Sequence, residues 1–163
     1  MSSWSDIDEQ AVLALNALNE VETSFLDGAA LDIFIREAFH IGLRARGRDA
    51  FLIALDQTIA YASPNFQWFK NRYARFIYVD RVVVAASARG RGLARSLYEE
   101  LFVLAAEAGH ALIACEVNVQ PPNPASHAFH ASLAFAEVGR GGRPDGVKVV
   151  SYLIRALNGE KQR

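Results

Sequence analysis

Arg89-Gly90-Arg91-Gly92-Leu93-Ala94 stands between an apolar run, Val82-Val83-Val84, and an amphipathic stretch over residues 93–108. The order reads strand, glycine-rich turn, helix. At a helix start the first backbone N–H groups lack intrahelical partners, and the macrodipole leaves roughly half a positive charge there. An anion at that point is stabilised by both. The glycines let the backbone come close, and the guanidinium groups of Arg89, Arg91 and Arg95 can fork onto phosphate oxygens. The stretch therefore reads as a pyrophosphate cradle; the plainer alternative is a tight turn with solvated arginines.

Two better-known phosphate loops are excluded. A P-loop needs Gly-x-x-x-x-Gly-Lys-[Ser/Thr], and no Gly-Lys pair follows here; the dinucleotide fingerprint needs a third glycine where Arg95 stands.

Outward from the cradle, residues 76–86 form the longest β-prone run, apolar enough for a strand covered on both faces. Leu93, Leu97, Leu101, Leu104, Ala105 and Ala108 make one helical stripe that Gly109 is placed to end. Residues 111–119 are a second buried-strand candidate, closed by Pro121-Pro122. Asn123 followed by Pro124 predicts a capped helix running to about Leu133. Residues 135–138 and 147–154 read as closing strands around a glycine-rich loop at 140–146.

Upstream, residues 11–18 fit neither period cleanly and read as a short strand running into a helix. Leu31, Phe34, Ile35, Ala38, Phe39 and Gly42 fall at helical spacing after Asp27-Gly28, with Gly47 placed to end the element. Residues 51–55 and 58–62 flank Asp56-Gln57 and suggest a hairpin, with Pro64 stopping its second strand. The segment 65–73 carries four aromatics in nine residues and reads as a lid over a pocket or as a satellite of the core. Alternating strands and helices around the cradle predict an α/β sandwich with a mixed sheet.

The chain of 163 residues, 52% hydrophobic and 21% charged, suits one globular domain over 1–163. No apolar run reaches bilayer length and no export signal is visible at Met1-Ser2-Ser3-Trp4, so a cytoplasmic protein without membrane partners is expected. A net charge of −1 argues against nucleic-acid binding by counterion release. The charge is unevenly spread: the first 35 residues hold seven acids and no Lys or Arg, whereas residues 36–96 hold eleven basic residues against four acidic. That bias suits a small polyanionic ligand, or simply a solvated face. Cys115 is the one cysteine, and no metal is expected.

Arg89-x-x-Gly92-x-Ala94 resembles the [Gln/Arg]-x-x-Gly-x-[Gly/Ala] signature of the GNAT superfamily of N-acetyltransferases, which bind acetyl-coenzyme A. Asn123, Ser126, Phe129-His130 and Ala134-Phe135 occupy the frame of the family's second motif, Asn-x-x-[Ala/Ser]-x-x-x-[Tyr] closed by Gly-Phe. The resemblance covers residues 78–138; the first 75 residues match only by element order. Residues 78–84, 115–118 and 121–124 look like a bacterial branch of predicted acetyltransferases. His130 stands where many relatives place tyrosine, Ala134 replaces the glycine before Phe135, and Ala86 replaces a strand-leading proline.

The resemblance implies a GNAT-like mixed, mostly antiparallel central sheet with a splay between two central strands and helices on both faces. It implies that backbone groups of Val82, Val83 and Val84 pair with pantetheine amides, that Arg89, Gly90, Arg91, Gly92, Leu93, Ala94 and Arg95 hold the pyrophosphate, and that Asn123 and Ser126 contribute to the coenzyme site. Acetyl transfer needs a base, oxyanion stabilisation and a proton for the leaving thiolate. Glu116 interrupts an apolar strand just before its end, where burial would raise its pKa, so it is the first candidate base; a salt bridge to Arg81 or another arginine is the plain alternative. Asp80 is the rival, in phase with Tyr78 and Val82 and so expected on one face with them. The two carboxylates could equally recognise the substrate ammonium.

His130 is the candidate acid, directly or through water, unless it only packs. His127 lies three residues earlier, without the further ligands a metal site needs. Cys115 points opposite Glu116, toward the core. The leading expectation is an N-acetyltransferase moving acetyl from acetyl-CoA to a primary amine of a small molecule, amino acid or peptide through a direct ternary complex. The alternative is a non-catalytic acyl-CoA-binding regulatory module, and a homodimer is left open.

Overall fold

The computed structural model describes residues 4–142 and 145–157. The expectations touching residues 1–3 and, in the glycine-rich loop, Arg143 and Pro144 lie outside them. Six strands, β1 (His40–Arg44), β2 (Ala50–Asp56), β3 (Ile77–Val84), β4 (Leu112–Gln120), β5 (Ala136–Gly142) and β6 (Val149–Ala156), form one sheet in the order β1-β2-β3-β4-β6-β5. Neighbours are antiparallel except β3 and β4. A parallel pair needs a crossover, and helix α5 (Leu93–Glu107) supplies it.

The sheet is covered on both faces. One core joins Val12 and Leu15 of α1 (Glu9–Ala17), Leu31 and Phe34 of α3 (Gly28–Glu37), and Phe66 and Phe69 of α4 (Pro64–Lys70) to Tyr78 and Ala114 of the sheet. The other joins Leu97, Tyr98, Leu101 and Ala105 of α5 to Ile77, Val79, Ile113 and Cys115, with Phe129 of α6 (Pro124–Ser132) packed against it. This double cover explains the apolarity of β3. The α5 stripe forms as expected and ends at Gly109, whose φ is +84°.

Several expectations are corrected. Residues 11–18 form no strand: Asp8 caps α1, its carboxylate accepting from the Ala11 N–H at 3.1 Å. Its buried positions are Val12, Leu15 and Asn16, helical spacing that a polar third member disguised. The next helix does not reach Gly42. Asp27 caps α3, the chain turns extended at Ala38, and Gly42 lies within β1, where a Cβ would sit 2.8 Å from Leu97 Cδ2. Gly47 ends a turn between β1 and β2, so the hairpin is β1–β2.

Residues 58–62 form no strand, because Asp56 Oδ1 accepts from the Thr58 N–H at 2.9 Å and folds the chain back. Pro64 begins α4, a short helix of residues Pro64–Lys70 that was expected as neither helix nor strand, instead of ending a strand. The fully buried Phe66 and Phe69 make this aromatic segment part of the core. Strand β5 runs on to Gly142, so the expected loop at 140–146 begins as strand. A Cβ at Gly139 would lie 2.5 Å from the Trp68 ring, and one at Gly141 2.5 Å from the Tyr152 hydroxyl. The strand is glycine-rich because aromatic rings lie directly against it.

Candidate active site

Strands β3 and β4 pair only at Ile77 with Ile113 and Tyr78 with Ala114. Beyond those rungs β3 stays with β2 and β4 with β6, so their facing edges part. A cavity of about 430 Å³ opens there, with Val79, Val82, Val83 and Val84 along one wall and Cys115, Glu116, Val117 and Asn118 along the other. The diverging backbone edges present N–H and C=O groups that no strand partner takes up, and such groups need partners.

Arg89 lines this cavity near the cradle. Gly90 and Gly92 have φ of +78° and +71°, and nothing lies within 4 Å of an added Cβ at either. Gly92 is the α5 N-cap and brings no side-chain cap, so the first-turn amides face open space. The arginines separate: Arg89 reaches toward Asn19 Oδ1 at 3.5 Å, Arg91 pairs with Asp49 at 3.5 Å, and Arg95 donates to Ser132 Oγ at 2.8 Å. Asn123 caps α6 through the Ser126 N–H at 3.3 Å, and both residues line the cavity.

Glu116 faces the side of the sheet opposite Cys115. The Tyr78 hydroxyl lies 2.9 and 2.7 Å from its two oxygens, and Asn65 Nδ2 donates to Oε1 at 3.2 Å. Asn65 is oriented by Tyr152, whose hydroxyl donates to Asn65 Oδ1 at 2.9 Å; Tyr152 is the cross-strand neighbour of Glu116 and stacks on Trp68 at 4.2 Å. No cation pairs with Glu116 among the described residues. Burial raises its pKa to about 7, the nearby Asp80 charge adds to the rise, and the Tyr78 and Asn65 hydrogen bonds oppose it.

Asp80 sits in a β-bulge. Ile53 of β2 opposes Arg81 and Ala54 opposes Val79, so Asp80 has no rung of its own. The extra residue corrects the expected phase: Tyr78 packs with the α1–α3–α4 core, whereas Val82 packs with the α5 core. Asp80 and Arg81 both turn toward the first of these, and Arg81 Nε donates to Asp80 Oδ2 at 2.7 Å. The Tyr61 hydroxyl donates to Asp80 Oδ1 at 2.6 Å.

Arg81, 5% exposed, also donates to Asn16 Oδ1 at 2.9 Å and to the Ser24 carbonyl at 3.3 Å. It thereby ties α1 and the segment after α2 (Glu20–Thr23) over the sheet. Asn118 Nδ2 holds the Val21 carbonyl at 3.3 Å from the other strand. Beneath this roof lies a second cavity of about 210 Å³, lined by Asp80, Glu116, Tyr61 and Tyr78 among others. Glu116, Thr23 and Asn118 line both cavities and so mark where they meet.

His130 is buried, and its Nδ1 lies 2.8 Å from the Ser126 carbonyl. A carbonyl only accepts, so Nδ1 carries the hydrogen and Nε2 accepts from the Tyr98 hydroxyl at 2.8 Å. Burial lowers the His130 pKa and raises that of Tyr98 well above its usual value. Tyr98 and His130 both line the larger cavity. His127 instead meets the Asn118 carbonyl at 3.1 Å, and no group of three or more His, Cys, Asp or Glu is placed to hold a metal among the described residues.

Of the residues expected from the sequence, Val82, Val83, Val84, Arg89, Glu116, Asn123, Ser126 and His130 line the larger cavity, Asp80 lines the smaller one, and Gly90, Arg91, Gly92, Leu93, Ala94 and Arg95 line neither, Arg91 and Arg95 being turned to other partners. Sequence reasoning missed Tyr78, Asn65 and Tyr152 as partners of Glu116, Tyr61 at Asp80 and Tyr98 at His130; Arg81, the alternative salt-bridge partner expected for Glu116, pairs with Asp80 instead. Tyr98 carried a signal: it adds a hydroxyl one place after Leu97 on the buried side of α5.

A parted strand pair near a glycine-started helix, with a high-pKa carboxylate on its wall, makes up the candidate site. The sequence matches the acetyltransferase (GNAT) family over residues 15–135, and the chain belongs to that family of acetyltransferases. Its fold is similar to that of an N-acetyltransferase from Staphylococcus aureus Mu50 (TM-score 0.64, 20% identity, 92% of this chain and 93% of that one). It is also similar to Ard1 from Thermoplasma volcanium (TM-score 0.69, 14%, 94% and 93%) and to the ribosomal-protein-S18-alanine N-acetyltransferase of Escherichia coli (TM-score 0.60, 16%, 92% and 88%). No curated protein sequence matches. Among the described residues, no helix is long and apolar enough to cross a membrane.

Proposed function

We propose that the chain acts as one acetyltransferase domain that moves acetyl from acetyl-CoA to the primary amine of a small molecule, amino acid or peptide in a direct ternary complex. The observation that carries this reading is the wedge itself, which reaches from Arg89, three residues before the α5 N-cap, to Glu116 and there meets a second cavity. The bare amides around Gly92 with Arg89 suit a pyrophosphate, and the parted edges of Val82–Val84 and β4 suit the amides of a pantetheine arm. Asn123 and Ser126 border the same channel. The thioester supplies the activated acetyl group.

Glu116 takes the amine proton. Its pKa of about 7 makes it a base poised near neutral pH, and among the described residues no cation pairs with it, whereas both oxygens of Asp80 are held by Arg81 and Tyr61. Asp80 therefore shapes the pocket and its field. Tyr98 and His130 line the larger cavity together, the Tyr98 hydroxyl donating to His130 Nε2 at 2.8 Å. As the thiolate leaves, Tyr98 turns its one proton from His130 Nε2 to the sulfur and regains a proton from solvent, and His130 acts through Tyr98 as a positioning residue.

Two measurements test the reading. Calorimetry with CoA and acetyl-CoA should show binding, and an amine library scored by free thiol release should show turnover that Glu116→Gln abolishes while binding persists. Absence of acetyl-CoA binding overturns the reading.

A further inference from the structure

The second cavity is polar nearly throughout. Thr23, Ser24, Ser63, Asn65 and Asn118 bring hydroxyl and amide groups to it, and among the described residues Val150 is its one aliphatic lining residue. Such walls are left without partners by a hydrocarbon skeleton and are matched by a short polar one. The volume of about 210 Å³ under the Arg81-tied roof admits a small compound and has no room for an oligosaccharide.

The charges around it are unequally matched. Asp80 is met by Arg81 at 2.7 Å, so it presents a neutralised pair to the cavity. Glu116 has no cationic partner, and across the same cavity Lys148, one residue before β6, has no carboxylate within ion-pair distance among the described residues. Lys148 is exposed at the rim, close enough for its charge to act on Glu116. A plain cationic amine or a diamine entering this cavity meets a like charge at Lys148. A molecule with an amine at one end and an anion at the other matches both walls.

Resting on the acetyltransferase reading above, we propose that the acceptor is a small amino acid: its amine is directed to Glu116 and its carboxylate is held by Lys148. Lys148 is thus a specificity-determining residue at the rim of the pocket.

The test uses the full chain with saturating acetyl-CoA and a panel of amino acids, the matching carboxamides, the decarboxylated amines, phosphoethanolamine and putrescine. At least one amino acid should exceed its own amide and amine by about tenfold or more in kcat/KM, as a hydrogen bond to a charged group provides. Lys148→Ala should erase that ratio. The substitution also removes a charge near Glu116, which affects acid and amide alike, so the ratio reports carboxylate recognition alone. Parity of acid and amide, putrescine ahead of every amino acid, or a ratio that survives Lys148→Ala overturns the proposal and leaves the acetyltransferase standing. Preference for phosphoethanolamine over every amino acid overturns the carboxylate assignment in favour of a phosphate. If no compound reacts, the proposal falls, and calorimetry with acetyl-CoA then decides separately whether the transferase reading falls with it.

Discussion

The Tyr78 hydroxyl lies within hydrogen-bond distance of both oxygens of Glu116, reaching from β3 to β4 just where the two strands part. Its one proton can serve either oxygen, so the carboxylate is held in place without losing its capacity to take another proton. The strand junction and the candidate base are built by the same side chain.

Activity should rise with pH. The base acts as carboxylate, so kcat/KM should climb through a limb near pH 7, the value to which burial brings Glu116. Glu116→Gln should remove the limb and lower kcat by about 100-fold or more, with acetyl-CoA affinity unchanged.

Stability should run the other way. A carboxyl group whose pKa is raised on folding favours the folded state while protonated, and that contribution is lost as pH rises from the unfolded value of 4.5 through about 7. Denaturant melts from pH 4.5 to 8 should show the wild-type chain losing stability relative to Glu116→Gln, on the order of 2–3 kcal/mol. A constant difference across that range would rule out the burial of this charge.

Tyr78→Phe should move the kinetic limb. The hydroxyl donates to the charged carboxylate and holds its pKa down against burial. Without that donor the limb should shift above pH 7 and the fold lose about 1–3 kcal/mol, measured by rate profile and melt. A shift to lower pH would contradict the assignment.

Tyr98 and His130 should behave as one unit. Tyr98→Phe should lower kcat by about 10²-fold with little change in KM, and adding His130→Gln should lower it little further, because the ring acts only through the hydroxyl it accepts from. Additive losses would show that His130 acts independently.

Ala134 carries a φ of +68°, a left-handed conformation that L side chains adopt at a cost. Ala134→Gly should raise stability by about 0.5–1 kcal/mol, partly offset by unfolded-chain entropy, with turnover unchanged.

The strand-turn-helix around Gly90 and Gly92 and the α6 start were legible because their signals are local. Glycines at a strand-to-helix junction, the α5 stripe and the Asn123-Pro124 cap each declare themselves within a few residues. Glu116 was legible as a lone acid in an apolar strand. The surroundings of the second cavity were not, because their geometry depends on pairing partners. The bulge at Asp80 exists only against β2, and it reverses the face of Val82. Asn65 reaches Glu116 only because α4 packs beneath β6, and no spacing in segment 65–73 announces that. The β1–β2 hairpin was misread for a similar reason: Gly42 fits helical spacing, and only its contact with Leu97 shows why a strand runs there.

The guanidinium of Arg81, clasped by Asn16 and Ser24, has a practical corollary. Trimming the chain to start beyond Ser24, a common manoeuvre in preparing crystals, would strip a buried cation of two of its partners and unroof the second cavity together. The opening helices are therefore ceiling and ballast at once, and a shortened protein that folds but no longer chooses among amines would be reporting their loss.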